Sequence, residues 1–253
     1  MSGKHRHILT IIPARGGSKS VPRKNIVQLS GKPMIAWAIE HALASKFITR
    51  IIVSTDDHEI AVTAEKYGAE VPFLRPADIA GDLSLDVEFH RHALEWLKEH
   101  ENYIPDVVVN LRPTPPFRQP ATIDKAIEMF LAHPEVDSLR SVQPAKESPF
   151  KMWTIDKGGY LEPLVKMVEF REPYNQPRQA LPMAYWQNGY IDITRPDIIL
   201  KKNSTTGDNI LPFLIEGPAT DIDYPEDVAK VQTECGDKIV LLSSDTPPVR
   251  HPS

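Results

Sequence analysis

Three nearly uninterrupted apolar runs limit the folds open to this chain: residues 8–12 (ILTII), 50–54 (RIIVS) and 106–111 (DVVVNL). A strand with one wet face alternates apolar and polar side chains, whereas a strand apolar on both faces must be covered on both. Stretches of helical period separate the runs. Pro33 suits a helix start, and Met34, Ile35, Ala38, Ile39, Ala42 and Leu43 form one apolar stripe behind it. Asp56 or Asp57 can cap a second helix that Gly68 ends, and a brief strand is expected at 71–74. A helix is expected from about 86 to 100, another from Pro120 carrying Ile123, Ile127 and Phe130, and a strand at 137–142. Strands alternating with helices predict an α/β fold with a doubly wound, mostly parallel sheet.

After Val142 the pattern changes. Prolines, a Gly158-Gly159 turn and short strands at 151–155 and 160–164 predict a β-rich insertion built around a hairpin. The expected organisation is a core of residues 1–142 plus 183–240, an insertion over 143–182, and a flexible tail over 241–253, with a terminal helix from Pro225. A hairpin arm buries little apolar surface alone, so packing on a partner subunit in a homodimer is expected; a long structured loop on a monomer is the alternative.

Composition narrows the function. A formal charge of −5 over 253 residues excludes a general nucleic-acid binder and makes any basic patch a local device. The single cysteine, Cys235, excludes an intrachain disulfide and suits a reducing cytoplasm. The start, MSGKHRH, has no secretory h-region, and no apolar run is long enough to span a bilayer. The expectation is a cytoplasmic protein with no membrane partner.

The first run feeds into Ala14-Arg15-Gly16-Gly17-Ser18-Lys19, followed by Arg23, Lys24 and Asn25. Glycines admit close approach of a ligand to the main chain, and clustered cations neutralise phosphate charge. The spacing is neither GxxxxGK[ST] nor GxGxxG, and a solvated basic turn is the alternative. Ligands of doubly wound sheets bind outside the carboxyl ends of the strands, where three further loops qualify: Ser54-Thr55-Asp56, Arg112 to Arg118 (RPTPPFR), and Asp221-Ile222-Asp223. Carboxylates two apart in an extended segment can share a hard cation, and Mg2+ prefers one or two carboxylates plus phosphate oxygens. The alternative has Asp223 capping the terminal helix and Asp221 solvated. Asp56 reads as a helix cap before a ligand. The prolines of RPTPPFR stiffen a loop able to present Arg112 and Arg118 to an anion, or form a plain turn. Arg178, in Gln-Pro-Arg-Gln, can anchor a carboxylate bidentately or make a salt bridge at a dimer contact. Tyr185, Trp186 and Tyr190 can line a sugar pocket or belong to the core. His90 and His92, two apart on a helix, are poorly spaced for joint ligation.

In order, IPARGGSKSVPRKN, IIVSTDD, Arg75-Pro76, RPTPPFR, NQPRQALP, Asn188-Gly189 and DIDYPEDV span most of the chain. The ordered set resembles the N-acylneuraminate cytidylyltransferase family. The resemblance implies a Rossmann-like nucleotidyltransferase core with a dimerisation arm, and Mg2+-dependent attack of a 2-keto-3-deoxy sugar acid on the α-phosphorus of CTP. It implies nucleotide contacts at Ala14, Arg15, Gly16, Gly17, Ser18, Lys19, Lys24, Asn25 and Arg75, and metal ligation by Asp221 and Asp223. Catalytic roles fall to Arg15, Lys24 and Asp223, and sugar contacts to Arg112, Arg178, Gln179, Asn188 and Asp192. Three departures cluster on the sugar side. Arg112 and Pro115 stand where the family commonly has glutamine and serine, Asp192 lies where an aromatic is frequent, and the loop 203–211 differs. A bacterial-type nonulosonate is therefore expected at least as much as N-acetylneuraminate. Another nucleotide (GTP or UTP), an eight-carbon acid or a sugar phosphate keeps the fold but changes the partners, and a non-catalytic nucleotide-sugar sensor is the reading from another class.

Overall fold

The computed structural model describes residues 6–19, 21–216 and Asp227. Its centre is a six-stranded sheet. β1 (Ile8–Pro13) pairs in parallel with β4 (Arg50–Ser54) on one side and β5 (Val107–Asn110) on the other. Beyond β5 comes β9 (Tyr185–Thr194), which runs antiparallel to β5 and to β6 (Ser138–Pro144). β10 (Ile210–Leu214) closes the edge in parallel with β6, giving the order β10-β6-β9-β5-β1-β4. The sheet is thus mostly parallel, with β9 the antiparallel exception among the described strands.

The apolar runs are buried on both faces, as their composition requires. Ile8 and Ile12 of β1 pack with α1 (Met34–Leu43), α2 (His58–Lys66) and α4 (Pro120–Ala132) through Ile35, Ile39, Ile60, Ile123 and Ile127. Leu9 and Ile11 point the other way, onto α3 (Asp86–Glu101) and α5 (Pro196–Lys202) through Phe89, Leu94, Leu97 and Ile199. Each fully buried aliphatic side chain contributes about 1.5–3 kcal/mol of transfer free energy.

Several expectations are corrected. Residues 71–74 form no strand; only an isolated bridge between Ile52 and Glu70 forms near them. α5, β10 and a small hairpin of β2 (Gln28–Leu29) and β3 (Lys32–Pro33) had no signal strong enough to be expected. Asp57, not Asp56, caps α2, its Oδ1 accepting from the backbone N–H groups of Glu59 and Ile60 at 2.9 and 3.0 Å. Of the helix expected from Pro225, Asp227 alone lies among the described residues.

Between β6 and β9 the chain leaves the sheet and builds a hairpin of β7 (Trp153–Ile155) and β8 (Leu161–Pro163), with Trp153 opposite Pro163. The Trp153 ring rests 4.3 Å from that of Tyr174. Ile155, Tyr160, Leu161, Val168 and Trp186 are exposed along this arm and its root.

Candidate active site

β1, β4 and β5 are parallel, so their carboxyl ends share one edge of the sheet. Because β9 runs the other way, its first half, with Asn188 and Gly189, reaches the same edge beyond the Asn110–Asp192 pairing. The loops singled out in the sequence after β1, β4 and β5 therefore meet there. Asp221 and Asp223 lie outside the described residues.

The loop after β1 is held by its own backbone and by β4. Ala14 N–H donates to the Ser54 carbonyl at 3.0 Å, Gly16 N–H to Asp56 Oδ1 at 2.8 Å, and buried Asn25 through Nδ2 to the Arg15 carbonyl at 3.0 Å. Asp56 thus ties down the glycine loop instead of capping a helix. The two glycines do different jobs. A Cβ on Gly16 would stand 2.9 Å from Asp57 Oδ2 and 3.0 Å from Asp57 Cβ, so the close approach demands glycine. A Cβ on Gly17 would meet nothing within 4 Å, which leaves that face of the loop open.

The cations of the loop divide by role. Arg23 turns back to Asp57 (3.0 Å) and Glu59 (2.8 Å) at the start of α2, in a left-handed backbone conformation. Arg15 and Lys19 instead converge on Asp82, at 2.8 and 2.5 Å. The Lys19 ammonium, with the Arg15 guanidinium, holds the Asp82 carboxyl below the usual carboxylate range. Burial raises the Asp57 carboxyl, but the N–H of Ile60 and the Arg23 guanidinium outweigh it and leave the group lowered. One carboxylate between two loop cations marks a position where an anion is favoured. Ser18 donates its N–H to the Gly16 carbonyl at 3.1 Å, and Lys24 opens a short 3-10 turn, Lys24–Ile26, beside Asn25.

Arg75 is buried across the end of β4. Its Nε donates to Ser54 Oγ at 3.0 Å, another N–H donates to the Ser54 carbonyl at 2.6 Å, and the guanidinium lies 4.7 Å from the Phe89 ring centre. Burial pushes it down to about 10, still protonated at neutral pH.

The loop after β5 separates its two arginines. Arg118, open in the sequence to an anion contact or a plain turn, is 1 % exposed. It donates to the carbonyls of Tyr190 at 2.5 Å and Pro115 at 2.6 Å, clamping the loop to β9, while the Tyr190 hydroxyl accepts from Gln119 N–H at 2.7 Å. Tyr190 is therefore core, whereas Tyr185 and Trp186 are exposed. Arg112 is one-third exposed and donates to Asp86 at the first turn of α3. Gly189, at φ +61°, lies under the Arg112 stem. Beneath them Asp192 is buried and paired with Arg140 at 3.2 Å. Burial raises the Asp192 carboxyl, against the opposing pull of Arg140 and Arg112. Asn188 is buried, its Oδ1 accepting from Tyr190 N–H at 3.2 Å. Arg178 and Gln179 stand exposed on the 3-10 turn Arg178–Ala180, with Arg178 donating to the carbonyls of Ala145 and Lys146 at 3.3 and 2.8 Å.

Sequence reasoning missed Asp82, Asp86, Asn110 and Arg140. Asp82, Asp86 and Arg140 are single polar residues outside the quoted motifs, and Asn110 ends an apolar run; only the fold shows what stands beside them. Among the described residues no group of three or more His, Cys, Asp or Glu side chains is arranged to hold a metal ion. None of the described helices is long and apolar enough to cross a membrane.

Residues 9–185 match the family model described as Cytidylyltransferase. "Post-translational flagellin modification protein B" of Campylobacter coli is 35% identical over 227 residues, covering 89% of this chain and 93% of that protein. The "CMP-N,N'-diacetyllegionaminic acid synthase" of Legionella pneumophila is 38% identical over 226 residues, covering 88% and 93%. Among solved structures, a CMP:2-keto-3-deoxy-manno-octonic acid synthetase complexed with CTP superposes with a TM-score of 0.68 at 19% identity, covering 92% of this chain and 99% of the other. At that identity the likeness speaks for the fold alone.

Proposed function

Because this chain belongs to the cytidylyltransferase family, we propose that it activates a 2-keto-3-deoxy nonulosonic acid with CTP. The anomeric hydroxyl oxygen bonds to the α-phosphorus, the P–O bond to the β-phosphate breaks, and pyrophosphate leaves with that electron pair. The hydroxyl proton passes to solvent, and a CMP-sugar remains. The observation that carries this reading is the convergence of Arg15 and Lys19 on one carboxylate at the carboxyl edge of the sheet. A triphosphate brings more negative charge than Asp82 and replaces it there.

In this reading Arg15, Lys19 and Lys24 neutralise the triphosphate, Arg15 and Lys24 as the charge on the leaving pyrophosphate grows. Such transfers need positioning and charge stabilisation more than a strong base. The open face of Gly17, with Ala14, Gly16 and Ser18 around it, lets the backbone approach the phosphates, and Asn25 fixes the loop from behind. Arg75 braces the end of β4 beside the base. Arg112, Arg178, Gln179, Asn188 and Asp192 form or support the sugar side. Mg2+ held by Asp221 and Asp223 belongs to the same proposal and rests on the Asp-x-Asp pattern; bound there, the ion adds positive charge against the phosphate oxygens. A homodimer joined through the β7–β8 arm also belongs to it, supported by the exposed Ile155, Tyr160, Leu161 and Val168. A cytoplasmic location completes the reading.

The test is pyrophosphate release with each of four nucleotides against a panel of eight- and nine-carbon keto-sugar acids. The expected result is release with CTP and a nonulosonate; turnover with another nucleotide or only with an eight-carbon acid replaces this reading. Asp223→Asn is expected to lower kcat by about 100-fold or more without changing the melting temperature. An unchanged kcat removes Asp223 from the metal site.

A further inference from the structure

Arg112 and Arg178 are both arginines on the sugar side, yet they meet different surroundings. Among the described residues no carboxylate pairs with Arg178, whose guanidinium donates only to the backbone carbonyls of Ala145 and Lys146. Arg112 donates to the Asp86 carboxylate, and both members are one-third exposed. Beneath them the cross-strand triplet Asn110, Asp192 and Arg140 places a second carboxylate and a second cation on the same face of the sheet. Arg140 is fixed in turn by Thr205 Oγ1, which accepts from it at 3.0 Å, in the loop between α5 and β10. Asp86 and Asp192 carry two negative charges against the two positive charges of Arg112 and Arg140. A carboxylate already paired with Arg112 lowers what that guanidinium offers a second carboxylate. Arg178, bonded to backbone carbonyls, keeps its charge for one.

Local structure holds this arrangement in place. Asp86 sits in the first turn of α3, where a carboxylate is favoured by the free N–H groups of the helix end. His90, one turn on, meets the Asp86 carbonyl through Nδ1 at 2.8 Å and is buried. Gly189, at positive φ, leaves room for the Arg112 stem to lie across β9. A guanidinium has five N–H donors, and the Asp86 bond engages one end of the fork.

Resting on cytidylyl transfer to a nonulosonic acid, we propose that Asp86 is a positioning residue for sugar selection. It neutralises Arg112 and aims the remaining donors at an uncharged acceptor of the sugar, a hydroxyl or an acylamino carbonyl, while the sugar carboxylate goes to Arg178. Asp192 and Arg140 support the pair from below, and the loop between α5 and β10 reaches the sugar site through Arg140.

Steady-state kinetics on the full chain test this, with KM for sugar and for CTP measured separately. Asp86→Asn and Arg112→Gln are each expected to raise the sugar KM about tenfold, the loss of one oriented charge-assisted bond, with kcat and the CTP KM within about twofold. Because Asp86 acts through Arg112, the double variant is expected to be no worse than the poorer single one. Asp86→Glu, which keeps the charge at a partly exposed first-turn position, is expected to recover most of the sugar KM. Arg178→Gln is expected to weaken all acids equally, whereas Arg112→Gln weakens most the acid whose acylamino or hydroxyl acceptor is intact. Additive single effects, a sugar KM unmoved by Asp86→Asn, or a CTP KM that rises by the same factor would each overturn the proposal while the wild type still turns over. A wild type that releases no pyrophosphate with any acid overturns the underlying reading instead.

Discussion

Replacing Arg118 by methionine tests whether the arginine at the end of RPTPPFR is a scaffold or a ligand. The guanidinium is buried and makes two short bonds, to the Tyr190 and Pro115 carbonyls at 2.5 and 2.6 Å, with a longer one to Gly189 at 3.4 Å. Methionine fills much of the same volume, so the main loss is two buried carbonyls left without a donor, at about 1–3 kcal/mol each. Relief from burying a charge offsets part of this, and a net loss of about 3 kcal/mol follows. For a chain of this size that corresponds to a fall of about 6–12 °C in Tm. Urea denaturation followed by far-UV circular dichroism gives the free energy directly. Arg118→Lys, which cannot reach both carbonyls with one fork, is expected to lose about half as much. The scaffold account is refuted if Arg118→Met leaves stability within about 0.5 kcal/mol of wild type and only a substrate KM rises.

The glycines of the first loop are expected to respond oppositely. Gly16→Ala pushes a Cβ onto Asp57 and disturbs the α2 cap, with an expected loss of about 1 kcal/mol in urea denaturation. Gly17→Ala adds its Cβ to open space and is expected to leave stability unchanged while raising the CTP KM; the reverse pattern contradicts the assignment. Acid is expected to weaken the fold through His41 and His90. Burial lowers them from 6.5 to about 3 and about 4. Their folded pKa values lie below the unfolded one, so the unfolded chain binds more protons between about pH 6.5 and 3. Their stabilisation is complete above pH 6.5 and declines as pH falls through that window, by about 2 kcal/mol for each histidine at pH 5. His41→Gln removes part of this dependence, and an unchanged slope of urea midpoint against pH rules out its contribution.

Much of the core was legible because burial on both faces leaves a plain sequence trace. β1, β4 and β5 are the three apolar runs, and the helical stripe after Pro33 is α1. The direction of β9 was not legible, because period-two burial is the same for parallel and antiparallel pairing and the chain path decides between them. α5 is a short helix after Pro196, and β10 alternates exposed with half-buried side chains at the sheet edge, so neither has a long periodic signal. Residues 71–74 carry strand-like composition but only Glu70, just before them, finds a partner strand. The basic loop with Arg15, Gly16, Gly17 and Lys19 stood out in the sequence because its residues are contiguous. Their partners were not. Asp82 meets Arg15 from 67 residues away, and Asp86 meets Arg112 only because α3 starts at the carboxyl edge of the sheet. The role of Arg118 stayed open because an arginine in a proline-rich loop looks the same whether it faces solvent or clamps a neighbouring strand.

The most direct test of the account is identification of the product by mass spectrometry and 31P NMR after incubation with CTP, Mg2+ and a nonulosonic acid. The account predicts a CMP-sugar with one phosphodiester phosphorus, formed in equal amount with pyrophosphate and lost when CTP is replaced by GTP or UTP. Intact CTP and unchanged sugar across the panel, from a protein with a normal melting transition, contradicts it.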